Sequence, residues 1–377
     1  MKIDPFAVEI WMNEHETKCA FNLAETCVDS LTVAELLEIA GRSANDLGDL
    51  LDMRLSYGAI EGSARLRAAI AALYEQQQAE NVVVTHGAAG ANALVHQALI
   101  EPGDRVISVV PTYQQHVSIP ESLGATVERL ELRWEDDYRI NLQELRRQAK
   151  GGVKLIVLTN PNNPTGVLIA RAELEEIVEI ARGCDAWLFA DEVYRGTDQN
   201  GDGATVSVAD LYEKGISTGS MSKAFSLAGL RLGWICAPKQ IIEAVSIHRD
   251  YNTISVGMID DHFAALALEN ADAVLTRSKR ITRTNLGILA EWVERESLID
   301  WVKPQSGTIA MLRYHLPMSS EEFCLALLAE TGVMLTPGSA FGMEGFLRIG
   351  YANEEAILSE GLRLMSGFLA KRAKTAA

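Results

Sequence analysis

Lys223 stands between two serines and eight residues before an arginine, in the run Gly219-Ser-Met-Ser-Lys-Ala-Phe-Ser-Leu-Ala-Gly-Leu-Arg-Leu-Gly-Trp234. Serine hydroxyls donate hydrogen bonds, the Arg231 guanidinium is a planar fork suited to phosphate, and an amine condenses with aldehydes. Together they suit one small molecule that carries both a phosphate and an aldehyde. Taken alone, Lys223 reads as a solvated surface lysine and Arg231 as half of a salt bridge, so the cluster carries the argument. Asp191 opens Asp-Glu-Val-Tyr194 after the apolar run 187–190. A carboxylate there could cap a helix, bind a metal or a ribose, or hold a protonated ring nitrogen. The metal reading lacks partner ligands, and the ribose reading lacks a glycine fingerprint upstream.

Other segments have the same mixed character. Asn160-Pro-Asn-Asn-Pro-Thr-Gly166 is a rigid turn by composition. Pro111-Thr-Tyr-Gln-Gln-His116 offers Tyr113 for stacking on a ring, while His116 alone reads as readily as a satisfied structural histidine. His86-Gly-Ala-Ala-Gly-Ala-Asn-Ala-Leu94 puts a glycine turn before a helix, where free N–H groups and the helix dipole favour an anion. Arg348, in Phe346-Leu-Arg-Ile-Gly350, could grip a carboxylate with two bonds or sit in a surface ion pair.

The elements that must position these residues follow from hydrophobic patterning. Short β-rich apolar runs at 81–85, 105–109, 153–158, 187–190 and 232–236 alternate with helical spacing at 63–77, 91–100, 142–148 and 171–182. That alternation predicts an α/β protein with a parallel sheet covered by helices on both faces, and ligands beyond the carboxyl ends of its strands. The motifs fall in loops of that kind. From residue 272 the character changes: a long helix at 273–296, strands at 308–314 and 346–349, and a helix at 320–330 predict a smaller α+β domain. The chain thus divides into an N-terminal arm at 1–45 that packs near the small domain and carries a helix at 32–40, a large domain at 46–271 and a small domain at 272–377.

Composition excludes several classes. With 377 residues, 48% of them hydrophobic, the chain supports a large buried core. A net charge of −17 argues against nucleic acid and anionic membranes as partners. Five scattered cysteines without a C-x-x-C pair or clustered histidines argue against a disulfide framework or a structural metal. The acidic N-terminus does not read as a signal peptide, and no apolar run is long enough to span a bilayer, so a cytoplasmic location is expected.

Segment 219–234 resembles the S-x-[SA]-K-x(5)-[GN]-x-R signature of the class I/II (fold-type I) pyridoxal-phosphate-dependent aminotransferases. The resemblance runs from about Asn22 to Ala352. It implies the fold-type I PLP-transferase architecture, with pyridoxal 5'-phosphate held by Lys223 as a Schiff base. It also implies that Ser220, Ser222, Arg231 and the N–H groups of Ala88 and Ala89 bind the phosphate, and that Asp191 pairs with the ring nitrogen, backed by His116. Tyr194 and Asn163 would meet the ring hydroxyl, Tyr113 would stack on the ring, and Arg348, with Asn163, would receive the substrate carboxylate. Tyr57, in Tyr57-Gly-Ala-Ile-Glu-Gly62, resembles the tyrosine that reaches a neighbouring subunit's phosphate, implying a homodimer with shared sites. The implied activity is ping-pong transfer of an amino group from an L-amino acid to a 2-oxo acid. β-Elimination of the C–S lyase type, or cyclisation, is the alternative on the same motifs. At 22–27 the sequence Asn-Leu-Ala-Glu-Thr-Cys departs from the family's glycine-containing turn. Glu25 there would favour a cationic side chain or else face solvent. Trp11, Glu25 and Cys27 are candidates for the entrance, and Arg249 for the second arginine that a dicarboxylic substrate needs.

Overall fold

The computed structural model describes residues 2–376. At its centre seven strands run side by side in the order Val82–Thr85, Gly233–Cys236, Gly215–Ser220, Trp187–Asp191, Leu155–Thr159, Arg105–Val110 and Thr126–Glu131. The last five pair in parallel, and Gly233–Cys236 is antiparallel to both of its neighbours. Leu155–Thr159 (LIVLT) is buried along its whole length, as a central strand covered on both faces must be. One of the covering helices, Arg171–Gly183, turns Leu174, Ile177, Val178 and Ala181 inward at helical spacing.

Two strands lie where the sequence carries no apolar run. Gly215–Ser220 (GISTGS) is fully buried although glycine, serine and threonine dominate it. Its small residues make room: a Cβ on Gly219 would stand 2.4 Å from Cζ2 of Trp234, its partner across the ladder. Thr126–Glu131 (TVERLE) is one of the two edge strands, and Thr126, Arg129 and Glu131 on it are exposed.

Four strands, Ile299–Trp301, Ile309–Tyr314, Thr336–Pro337 and Phe346–Gly350, form a second, antiparallel sheet. Helix Ser320–Thr331, with a capping box at Ser319 and Glu322, lies in the same stretch of chain. The helix expected at 273–296 spans Ala271–Arg295, and a further helix, Glu355–Ala376, was not signalled. The first 45 residues contribute to two cores. Trp11 and Leu23 pack with Leu312, Phe323 and Leu347, whereas Leu36 and Leu37 pack with Leu66, Val84 and Trp234. The expected arm also contains a helix, Ala7–His15, and a short strand, Phe21–Asn22, that pairs with Val333–Met334.

Candidate active site

Five strands of the large sheet point their carboxyl ends at one place. Val82–Thr85 leads into the turn at Gly87, Arg105–Val110 into Pro111, and Leu155–Thr159 into Asn160. Trp187–Asp191 ends on its aspartate, and Gly215–Ser220 leads to Lys223. Beyond them lies a cavity of about 540 Å³ lined by Ala88, Ala89, Tyr113, Asn163, Asp191, Tyr194, Ser220, Ser222, Lys223, Arg231 and Arg348, with Glu9, Glu25, Thr26 and Cys27 on another side. Residues from across the sequence thus converge because parallel strands deliver their loops to one edge.

One end of the cavity suits a phosphate. Helix Gly87–Leu99 begins here without a side-chain cap, so its first N–H groups remain available. Gly233 allows this turn to sit close: a Cβ on it would meet the Gly87 carbonyl carbon at 2.4 Å and Ala88 N at 2.6 Å. Arg231 adopts a left-handed backbone (φ +50°), and its Nη1 donates only to Ala228 O, at 2.9 Å. No carboxylate pairs with it among the described residues. A capless helix terminus, a guanidinium without a counter-ion and the Ser220 and Ser222 hydroxyls form a donor set that fits a phosphate.

At the centre, Asp191 Oδ2 accepts from Asn92 Nδ2 at 2.8 Å and lies 3.3 Å from His116 Nε2. His116 is fully buried behind Asp191 and does not line the cavity. His96 Nε2 lies 3.3 Å from His116 Nδ1. Burial, then His116, holds the pKa of His96 well below the usual value, so it is neutral. Its Nδ1 has no partner, which suits the tautomer with the proton on Nε2, donating to His116. His116 then donates to Asp191, keeping a buried carboxylate supplied with donors.

Lys223 Nζ donates to Thr26 Oγ1 at 2.6 Å and reaches Cys27 Sγ at 3.5 Å. Burial works to discharge this ammonium, but Cys27, Tyr194 and Glu25 outweigh it and hold its pKa above the usual lysine value. Burial pushes the Cys27 thiol up to about 11. For Glu25, burial acts to raise the pKa, yet Lys223 and the amides of Cys27 and Thr26 prevail and lower it. Arg348 is 2% exposed; Nη1 donates to Asn163 Oδ1 at 3.2 Å, and Nη2 to Thr336 Oγ1 at 3.2 Å and Ala24 O at 3.4 Å. Its Nε has no partner. A buried guanidinium with only neutral acceptors is ready for a carboxylate.

Besides His116, three candidates fall outside the cavity. Tyr57 is 76% exposed and is not among the lining residues of this chain. Trp11 turns into the core, where its Nε1 donates to Leu335 O at 2.8 Å. Arg249 is buried beside Asp250, at 3.4 Å, and does not line the cavity. Sequence reasoning missed Asn92, Thr26 and Glu9. Asn92 was within reach, because it lies four residues after Ala88 on the same helix face. Thr26 and Glu9 carry no such signal.

The parallel strands, the phosphate-suited turn and the lysine opposite a buried aspartate define a pyridoxal-phosphate-dependent enzyme of fold type I. Residues 33–360 match the model of the aminotransferase class I and II family. A capreomycidine synthase from Streptomyces vinaceus is 30% identical over 370 residues, covering 97% of this chain and 94% of that protein. The crystal structure of a PLP-dependent aminotransferase from Streptococcus suis has a TM-score of 0.95 and 39% identity, with 99% of each chain covered. That of the PLP-dependent cyclase OrfR has a TM-score of 0.91 and 29% identity, covering 99% of this chain and 98% of that one. The chain belongs to the class I and II aminotransferase family. It is an enzyme, and its cofactor is pyridoxal 5'-phosphate.

Proposed function

We propose that this enzyme moves the amino group of an L-amino acid to a 2-oxo acid in two successive half-reactions, with Lys223 as the proton carrier. The observation that carries this reading is the convergence of Lys223, Asp191, Asn163, Tyr194, Arg231 and Arg348 on one cavity. Bound pyridoxal phosphate supplies an aldehyde that accepts amino groups and a ring that draws electrons from the bond being broken. Arg231, Ser220, Ser222 and the N–H groups of Ala88 and Ala89 would anchor its phosphate, and Tyr113 would cover its ring. Asp191, oriented by Asn92 and His116, would hold the ring nitrogen protonated, and Tyr194 and Asn163 would meet the ring hydroxyl. Arg348 orients the substrate carboxylate. With the cofactor bound, Lys223 Nζ would be the group that takes the proton from the substrate's Cα and gives it back, acting as base and then acid.

A homodimer in which Tyr57 completes the neighbouring site belongs to the same proposal, supported by the exposure of Tyr57 with Leu51 and Leu55. So does the division at 46–271 and 272–377, supported by the separate sheets. A cytoplasmic location is supported by five cysteines that are all free. Among the described residues no helix is long and apolar enough to cross a membrane.

Cyclisation on the same scaffold is the second reading, favoured by the nearly whole-length likeness to the capreomycidine synthase and to OrfR. The deciding experiment follows the holoenzyme's visible absorption while single amino acids are added. Transfer predicts that the band fades with release of a 2-oxo acid and returns when a second 2-oxo acid is supplied. A band that persists while a cyclic product or ammonia accumulates would replace transfer with the second reading or with elimination.

A further inference from the structure

The charged side chains around the cavity are sorted by sign and by origin. Its lining cations among the described residues are Lys223, Arg231 and Arg348, and its lining anions are Asp191, Glu9, Glu16 and Glu25. Under the reading above every cation has a task, on the cofactor or on the substrate's α-carboxylate. Asp191 is likewise engaged by Asn92 and His116. The three glutamates remain, all from the first 25 residues, and none forms an ion pair among the described residues.

Two of them are fixed by hydrogen bonds from neutral donors. Glu9 Oε1 accepts from the Tyr113 hydroxyl at 2.7 Å, which ties it to the proposed ring-covering residue. Glu25 Oε1 accepts from the amides of Thr26, at 2.6 Å, and Cys27, at 2.9 Å. Each arrangement commits one carboxylate oxygen to a neutral donor and leaves the negative charge in the cavity wall.

Arg348 is the independent sign that a ligand belongs here, being buried and lacking both an anionic partner and a partner for its Nε. An α-carboxylate arriving at Arg348 enters a space already faced by Glu9 and Glu25. Like charges that share a poorly solvated site repel, and a ligand with its own positive charge relieves that repulsion. We propose that the substrate is a basic L-amino acid, with its α-carboxylate on Arg348 and its side-chain ammonium or guanidinium on Glu9 and Glu25. This substrate class rests on the reading of the site given above. An acidic amino acid meets the reverse situation, because no uncommitted lining cation is left for its second carboxylate.

The test measures binding and reaction separately in the reconstituted holoenzyme. Calorimetric titration with L-arginine, L-lysine, L-ornithine, L-norleucine and L-glutamate gives affinities, and product analysis gives turnover. At least one basic amino acid should bind about 10- to 100-fold more tightly than norleucine, and glutamate should bind weakest, as expected for a charge-assisted contact. Glu25→Gln and Glu9→Gln should each reduce that preference about tenfold, with apparent Tm and cofactor loading as checks on folding. Equal or better binding of norleucine or glutamate would overturn the inference and leave the transfer reading intact. So would a preference that neither substitution changes, since the glutamates would then only balance Lys223 and Arg348. Tight, glutamate-dependent binding of a basic amino acid without release of a 2-oxo acid would support the substrate class and remove transfer as the reaction.

Discussion

Behind the cavity, Asp191, Asn163, Ser220 and Lys223 stand at or just beyond the ends of parallel strands in a buried sheet. In front, Phe6, Glu9, Met12 and Glu25 come from a short helix and an irregular segment near the start of the chain. The rear wall is over-determined: Asp191 has two side-chain partners, and the Gly87 turn rests on a strand that admits no Cβ at Gly233. The front wall is tied to the rest of the fold by side-chain bonds from a short segment, among them Tyr113 to Glu9, Ala7 N to Gln114 Oε1 at 3.0 Å and Gln114 Nε2 to Pro5 O at 2.9 Å. If the proposed roles hold, with cofactor chemistry on the sheet and substrate choice in the N-terminal segment, rear-wall variants should affect all substrates alike and front-wall variants should change their ranking.

Replacing Lys223 with alanine tests the rear wall most severely. Turnover should fall by at least about 10²–10⁴-fold for every amino acid, measured as 2-oxo acid release. A loss confined to one substrate would break the comparison. Arg231→Gln should weaken cofactor binding roughly 10- to 100-fold, as removal of charge-assisted bonds does, with the order of substrates unchanged in spectroscopic titrations. His116→Leu should cost on the order of tenfold in kcat/KM and shift the pH dependence of the cofactor's absorption, because Asp191 loses a donor; an unchanged profile would reduce His116 to packing.

The smallest effect belongs to the front wall and sharpens the contrast by pH. The Glu25 pKa is lowered in the fold, so its ionised form stabilises the protein above the unfolded carboxylate value, and that contribution fades as pH falls through the lowered value. Glu25→Gln should therefore lower the Tm of the cofactor-free protein by a few degrees at pH 7, and the two proteins should converge as pH falls through the lowered Glu25 value. A difference that persists at low pH would assign Glu25 a packing role.

The same contrast explains how much was legible in the sequence. Rear-wall residues announce themselves because strand ends need special turns, and Asn160–Gly166 and Gly219–Trp234 combine turn residues with reactive ones at fixed spacing. The strands between them were visible where β-branched runs are buried, as at Leu155–Thr159. Gly215–Ser220 was invisible because its neighbours, Trp234 above all, supply the bulk that its own side chains lack. In the front wall, Glu9 sits on a helix whose two buried residues, Val8 and Trp11, leave too short a pattern to recognise. Thr26 meets Lys223 only through tertiary folding, across 197 positions of chain. Glu25 was noticed as an acid, but nothing local showed that it faces the cavity.

The fit of Trp234 against Gly219 has an optical consequence. Its indole lies against the strand that delivers Ser220 and Lys223, and its Nε1 donates to the Tyr74 hydroxyl at 3.0 Å, so the ring is fixed and shielded from water. A cofactor held at Lys223 would take excitation from this indole, so part of the emission of the six tryptophans should fall as the site fills.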